Sequence, residues 1–247
     1  MKPFITVFIP AYNEEACLQH SVEAVLTEMG KMGVPVEILI VDDNSQDRTG
    51  QIAENLSARI DCVRVIHHPH NRGIGGAFVT AVGQAQGEWM ILIPADLALE
   101  PGELHRYLQA APQADVVVGL RSNRSDYTLV RRIVSWTNIH LIQVLFNMQE
   151  RQFQYISMYR LDVLHQIQIE YWRSAFFLAE ILIKAKALGC RLVQVEILYT
   201  PRLTGRPTGA KLVLVVRTVF DMFSFWLRWV LLGKAIARSK ASAEPRP

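Results

Sequence analysis

The segment Phe4-Ile5-Thr6-Val7-Phe8-Ile9-Pro10-Ala11-Tyr12-Asn13-Glu14-Glu15 runs from six apolar or β-branched residues straight into a polar turn. That is the texture of a buried strand emptying into a loop. It recurs at residues 36–41, 63–66, 89–93 and 116–120. Between the runs lie stretches with helical spacing at 14–29, 47–58, 75–85 and 102–110, with Asp47 as a helix N-cap. Strands alternating with helices predict an α/β domain around a mostly parallel, Rossmann-like sheet flanked by helices.

From residue 121 the texture changes. Residues 128–148 carry Arg131 and Arg132, then no charged residue from Ile133 to Met148. A helix over 174–188 and a strand over 191–198 follow, then a Pro/Gly/Thr/Arg loop at 200–209. The last helix, 211–232, is apolar except for Arg217, Asp221, Ser224 and Arg228, which share one narrow stripe. Its interior charges make a membrane span costly. The expectation is an amphipathic helix on a membrane, with packing on the domain or a homo-oligomer seam as alternatives. Trp226 and Trp229 suit any of these.

The chain has 247 residues, half of them apolar, and a net charge of +3. This excludes a disordered or fibrous chain. Residues 1–200 carry net −4 and residues 201–247 net +7. A basic end beside apolar surface suits anionic headgroups, and no aromatic-studded polar groove suggests nucleic acid. Three scattered cysteines give neither a disulfide framework nor a zinc site. No signal-peptide pattern opens the sequence. The expected location is peripheral, on the cytoplasmic face of a membrane.

In open α/β sheets, ligands sit beyond the C-terminal strand ends. Four such ends are legible: Pro10-Ala11-Tyr12-Asn13-Glu14, Asp42-Asp43-Asn44-Ser45, Asn71-Arg72-Gly73-Ile74-Gly75-Gly76 and Pro94-Ala95-Asp96. Tyr12 can stack on a base, and Asp42 or Asp43 can accept from a base N–H or a ribose hydroxyl. The turn at Gly73, Gly75 and Gly76 opens a helix, whose N-terminus favours anions. Asp96 can hold Mg²⁺ or Mn²⁺ against a diphosphate. Phe78 spoils a dinucleotide fingerprint, and no P-loop exists. His67-His68-Pro69-His70 is read as a solvated strand-end loop, because near-adjacent histidines chelate poorly. Glu180 is read towards an acceptor site, with a structural ion pair as the alternative. Arg131 and Arg132 either attract lipid phosphate or begin a solvated helix.

The segments 9–15, 41–49 and 71–77 resemble the family 2 glycosyltransferases of GT-A fold, and among them the dolichyl- and polyprenyl-phosphate sugar synthases. The likeness runs from about Phe4 to Trp229, more loosely at Arg121, Ala179-Glu180 and 201–208. It implies that Pro10, Ala11, Tyr12, Glu14, Asp42 and Asp43 contact a nucleotide, joined by Gly73, Gly75 and Arg121. It implies a divalent metal at Asp96, and phosphate contacts at Arg202 and Arg206. It places a GT-A domain at 1–209 and the amphipathic helix with its basic tail at 210–247. The implied reaction moves a hexose from a UDP- or GDP-sugar to a polyprenyl phosphate with inversion. The alternatives are a non-lipid glycan acceptor or an impaired relative that only binds the nucleotide sugar. Departures matter: Pro94 stands where the metal motif has its first Asp, Ala98 replaces a frequent Gln, and Ile74 a frequent Lys. Arg151-Gln152-Phe153-Gln154 lacks the acceptor-loop acid.

Overall fold

A computed structural model describes residues 2–122, 129–198 and 212–231. Seven strands form one sheet: β1 (Ile5–Ala11), β2 (Val36–Asp42), β3 (Val63–His67), β4 (Trp89–Leu92), β5 (Val116–Arg121), β6 (Ser157–Arg160) and β7 (Leu192–Ile197). Their spatial order is β3-β2-β1-β4-β6-β5-β7. β6 runs antiparallel between β4 and β5; the other pairings are parallel. The five runs and the 191–198 segment are therefore strands as expected. β6 has no counterpart in the sequence reading, because four residues with one apolar side chain between Ser and Tyr carry little periodicity.

The helices are α1 (Leu18–Met32), α2 (Thr49–Arg59), α3 (Gly73–Gln84), α4 (Leu104–Ala110), α5 (Leu129–Phe146), α6 (Leu161–His165), α7 (Phe177–Ala187) and α8 (Leu212–Leu231). α1 stops where Gly33 takes the left-handed conformation and returns its N–H to the last turn. The sheet has a core on each face. One holds Val22, Val25 and Met29 of α1 against Ile5, Val7 and Ile9 of β1. The other holds Phe8, Phe78, Tyr159 and Phe177, with the Phe78 ring 5.5–6.1 Å from the other three. Such ring pairs add about 0.5–1.5 kcal/mol each beyond burial. At the N-terminal end of the strands, buried Glu37 accepts from Thr6 Oγ1 and the Gln86 N–H and pairs with Arg64, tying β1, β2 and β3 to the turn before β4.

α8 carries three stripes rather than two. Thr218, Met222 and Phe225 are buried on the domain. Arg217, Asp221, Ser224 and Arg228 follow about 100° round the helix axis, and Val216, Phe220, Phe223, Leu227 and Val230 form an exposed apolar stripe beyond them. Phe225 meets Phe146 of α5 at 5.5 Å and Trp229 at 5.3 Å. The polar stripe is turned to the domain's own acid: Arg228 Nη1 lies 2.8 Å from Glu170 Oε2.

Candidate functional site

The order β3-β2-β1-β4 reverses direction between β1 and β4, the switch point beyond whose C-terminal strand ends open α/β sheets bind their ligands. Pro10 and Ala11 close β1 on one side, and Pro94-Ala95-Asp96 follows β4 on the other. Tyr12 stands about half exposed at this rim, with its ring available for stacking. Ala11 is buried, and its carbonyl accepts the Asp43 N–H at 2.8 Å.

The loops after β1 and β2 are built as one unit. Asn13 N–H donates to Ser45 Oγ at 3.0 Å, and Asn13 Oδ1 accepts the Gln46 N–H at 2.8 Å. Glu14 N–H donates to Thr49 Oγ1 at 2.8 Å, and Glu15 N–H to Asp47 Oδ2 at 3.2 Å. Glu15 returns its carboxylate to the Arg48 N–H at 3.1 Å. Asn13 and Asn44 both take positive φ (57° and 64°), which asparagine tolerates better than most residues. The two motifs thus supply each other's hydrogen bonds. Asp47 stands one residue before the α2 cap and accepts the Thr49 N–H at 2.9 Å. Desolvation pushes its pKa up, but bonds from Thr49 and Glu15 outweigh it and hold the carboxyl below its usual value.

The acidic pair is buried and occupied from within. Asp42 Oδ1 accepts the Ser45 N–H at 3.0 Å. Asp43 Oδ1 accepts the Arg72 N–H at 2.8 Å and Oδ2 the Gly73 N–H at 2.7 Å. The anion at the N-terminus of α3 is therefore Asp43, a residue of the protein itself. The glycines there answer to packing. Gly73 has φ +73°, and a Cβ at Gly75 would overlap the main-chain carbonyl of Trp172. A Cβ at Gly76 would meet the side chain of Arg72, which runs along α3 to Thr80 Oγ1 at 3.2 Å.

His67 and His68 correct the reading of a solvated loop. His68 is buried, and its Nδ1 lies 2.7 Å from Asp43 Oδ1. His67 Nδ1 lies 2.8 Å from Asp42 Oδ2 and its Nε2 2.8 Å from Glu54 Oε1. Partial burial pulls the His67 pKa down, but the two carboxylates more than reverse this and raise it. The signal was legible as two dyads, Asp-Asp and His-His, each closing a strand run. What was missing was the register that pairs Asp42 with His67.

Asp96 lies within a tight turn, Pro94–Leu97. Leu97 adopts φ +51° and donates its N–H to the Pro94 carbonyl at 3.0 Å. A non-glycine residue held there costs about 1–3 kcal/mol. Asp96 Oδ1 accepts the Ala98 N–H at 3.2 Å, and the Ala95 carbonyl is held by Ser21 Oγ. Glu14 Oε2 lies 3.1 Å from the Cys17 thiol, and burial, then Glu14, push that thiol up to about 12. Cys17 is accordingly an inert thiol. Arg121 ends β5, buried, with its N–H and C=O both clamped by the Gln152 side chain at 3.1 Å. Arg202 and Arg206 lie outside the described residues.

Glu180 is also corrected. It is fully buried and accepts the N–H groups of Glu170 and Tyr171, each at 2.9 Å, and pairs with Lys184 at 2.7 Å. Lys184 and Arg228 hold the Glu170 pKa down against a burial effect that would raise it. This cluster fixes the 170–172 segment, and Trp172 of that segment covers the glycine turn, its ring flanked by Arg72 and Arg173 at 5.5 and 4.6 Å.

The family model for glycosyl transferase family 2 matches residues 6–184. The chain belongs to this family. Among curated relatives, the undecaprenyl-phosphate 4-deoxy-4-formamido-L-arabinose transferase of Pectobacterium atrosepticum is 36% identical over 135 residues, 54% of this chain and 41% of that protein. The undecaprenyl-phosphate mannosyltransferase of Micrococcus luteus is 28% identical over 215 residues, 81% of this chain and 85% of that one. The chain spans about two fifths of the length of the formamido-arabinose transferases it matches. In three dimensions it is similar to glucosyl-3-phosphoglycerate synthase of Mycobacterium tuberculosis, solved with Mn²⁺, UDP and phosphoglyceric acid (TM-score 0.69, 16% identity, covering 91% of this chain and 78% of that one). The family 2 chain thus has the GT-A architecture expected from its motifs. The solved neighbour establishes that this architecture accommodates a divalent cation with UDP.

Proposed function

We propose that this family 2 chain transfers a hexose from a UDP- or GDP-sugar to the phosphate of a polyprenyl phosphate, at the cytoplasmic face of a membrane and with inversion. The observation that carries the reading is the placement of α5. The chain leaves the rim at Arg121, passes through α5 and returns to the rim end of β6 at Ser157. α5 exposes Leu129, Ile133, Trp136 and Val144, and α8 packs against it with its own apolar stripe outward. Exposed apolar side chains on two packed helices, one of them in the segment that leaves and re-enters the rim, suit a lipid whose phosphate must reach the strand ends. Among the described residues no helix is long and apolar enough to cross a membrane. Arg132 and Arg217 are exposed on these helices and complement anionic headgroups.

In the proposed reaction an oxygen of the acceptor phosphate attacks the anomeric carbon. The new C–O bond forms as the bond to the nucleoside diphosphate breaks, and the diphosphate takes the electron pair. The attacking oxygen is already anionic, so no strong general base is needed. Catalysis then rests on positioning and on charge at the leaving group. Tyr12 and Asp42 hold the nucleoside, and Asp43 sets the α3 turn. Asp96, Arg202 and Arg206 serve the diphosphate end. Asp96 gives one carboxylate, Pro94 none, and no cluster of three ligating side chains exists among the described residues. One carboxylate plus substrate phosphates fits Mg²⁺ or Mn²⁺, which would neutralise the departing diphosphate.

The test incubates the chain with UDP- and GDP-sugars and undecaprenyl phosphate, with Mg²⁺, Mn²⁺ or chelator. Lipid-linked product supports the reading. Turnover on phosphoglyceric acid alone, with none on the lipid, replaces the acceptor. A second prediction concerns the helices. Phe220→Glu with Leu227→Glu removes two exposed apolar side chains and touches none of the buried ones. Liposome-bound protein should fall about tenfold or more, since each apolar side chain withdrawn costs about 1.5–3 kcal/mol. Unchanged sedimentation with anionic vesicles would refute membrane docking through this face and favour a second protein copy on it.

A further inference from the structure

The acidic pair and the histidine pair stand opposite one another across the β2–β3 ladder. Asp42 is in register with His67, and the His68 N–H donates to the Asp42 carbonyl at 2.9 Å. Successive side chains leave a strand on opposite faces. Asp42 and His67 therefore meet on the α2 face, and Asp43 and His68 on the α3 face.

The same device is built twice. In each pair Nδ1 meets the aspartate and Nε2 is tied to a helix. His67 Nε2 reaches Glu54 of α2, and His68 Nε2 lies 2.9 Å from Thr80 Oγ1 of α3. The hydrogen positions follow from the partners. Arg72 donates to Thr80 Oγ1, so the Thr80 hydroxyl hydrogen is available to His68 Nε2. His68 then donates through Nδ1 to Asp43. The ring of bonds closes when Asp43 accepts the Arg72 N–H. His67 faces a carboxylate at each nitrogen, and both nitrogens donate only in the imidazolium form. The raised pKa of His67 agrees with this geometry.

We infer that His67 and His68 are positioning residues of the nucleotide site, each aiming one aspartate of the acidic pair from its own face of the sheet. This rests on the proposed nucleotide role of Asp42 and Asp43. A carboxylate without its fixed donor can rotate about χ2, and a group that must accept from a base or cap a turn loses its aim. His67 fixes the side of Asp42 facing α2, which leaves Oδ1 with Ser45 and the rim. His68 fixes Asp43 so that Oδ2 meets the Gly73 N–H and starts α3 in register with the rim.

The two ring nitrogens can be separated chemically. The amide nitrogen of Asn takes the place of histidine Nδ1, and the amide of Gln reaches the place of Nε2, its nitrogen donating to Glu54 at position 67 and its oxygen accepting the Thr80 hydroxyl at position 68. Asn therefore keeps the bond to the aspartate and loses the helix, while Gln does the reverse. The experiment measures binding of UDP and of GDP by calorimetry to the unaltered chain and to His67→Asn, His67→Gln, His68→Asn and His68→Gln, beside thermal melts. The expected result is that each Gln variant binds roughly tenfold more weakly than the Asn variant at the same position, the effect of one charge-assisted hydrogen bond. His67, with its ring 40% exposed, gives a folded pair of variants even if His68 substitutions do not fold. Equal affinities for the Asn and Gln variants at a position would overturn the role of that histidine, whatever the melts show. If the unaltered chain binds neither UDP nor GDP, the nucleotide-site reading itself fails and takes this inference with it.

Discussion

Asp96→Ala is expected to lower single-turnover sugar transfer by about 10²–10³-fold, the effect seen when one preorganised group that stabilises transition-state charge is removed. The size follows from the number of carboxylates this turn carries. Pro94 brings no ligand to the turn after β4, and no neighbouring trio of His, Cys, Asp or Glu exists among the described residues to take over. Whatever charge balance the leaving diphosphate needs from this turn passes through a single carboxylate. The turn is also set in advance. Leu97 is held at φ +51°, Ser21 anchors the Ala95 carbonyl, and Asp96 Oδ1 caps the Ala98 N–H. Asp96→Asn keeps a side-chain acceptor for Ala98 but removes the negative charge, so it separates turn geometry from electrostatics. Both variants should lose turnover alike while UDP binding changes less, because Tyr12 and the acidic pair lie on other loops. A loss smaller than tenfold in Asp96→Ala, beside a larger loss in Arg202→Ala, would move the leaving-group charge to the arginine.

Much of this arrangement was legible in the sequence, for identifiable reasons. The strands β1, β2, β4 and β5 are near-continuous apolar runs because both faces of the sheet are covered there, whereas the edge strand β3 carries Arg64 and His67 and is mostly half-buried. The loop motifs were legible because they are polar islands at strand ends. Their mutual dependence was not. That Asn13 serves Ser45 and Gln46, or that Thr49 serves Glu14, is a property of adjacent strands, and a single sequence does not state adjacency. The same gap hid the histidines. His67-His68 near Pro69 reads as a loop until β3 is laid beside β2. β6 escaped for a different reason. It is wedged between β4 and β5 by its neighbours' unpaired edges, and tertiary demand rather than propensity makes those four residues extended. In α8 the polar stripe was visible, but periodicity cannot say which of two apolar flanks is buried. The Phe225 contacts with Phe146 and Phe176 decide that.

Glu180 carries the largest expected effect on stability. Its side chain is fully buried, and three donors converge on it: the Glu170 and Tyr171 N–H groups and the Lys184 ammonium. Glu180→Ala leaves two main-chain donors without an acceptor in the interior and removes one partner of a nearly buried cation. Removing one member of a buried pair costs about 3–5 kcal/mol. Unfolding by denaturant should show a loss of that size. Glu180→Gln retains an acceptor oxygen but gives up the charge that faces Lys184, and an intermediate loss is expected. A functional signature should accompany the loss in any variant that still folds. The 170–172 segment reaches α8 through Arg228 and the glycine turn through Trp172. Loosening it frees the main chain that packs on Gly75, so nucleoside diphosphate affinity should fall together with stability. A Glu180→Ala protein with native stability would show that the buried carboxylate is dispensable. A destabilised one with unaltered UDP affinity would show that Trp172 holds the rim without help from α7. Both results would separate the α8 cluster from the β1–β4 rim, whereas joint loss would mean that α8 and the loop covering the glycine turn are braced by the same carboxylate.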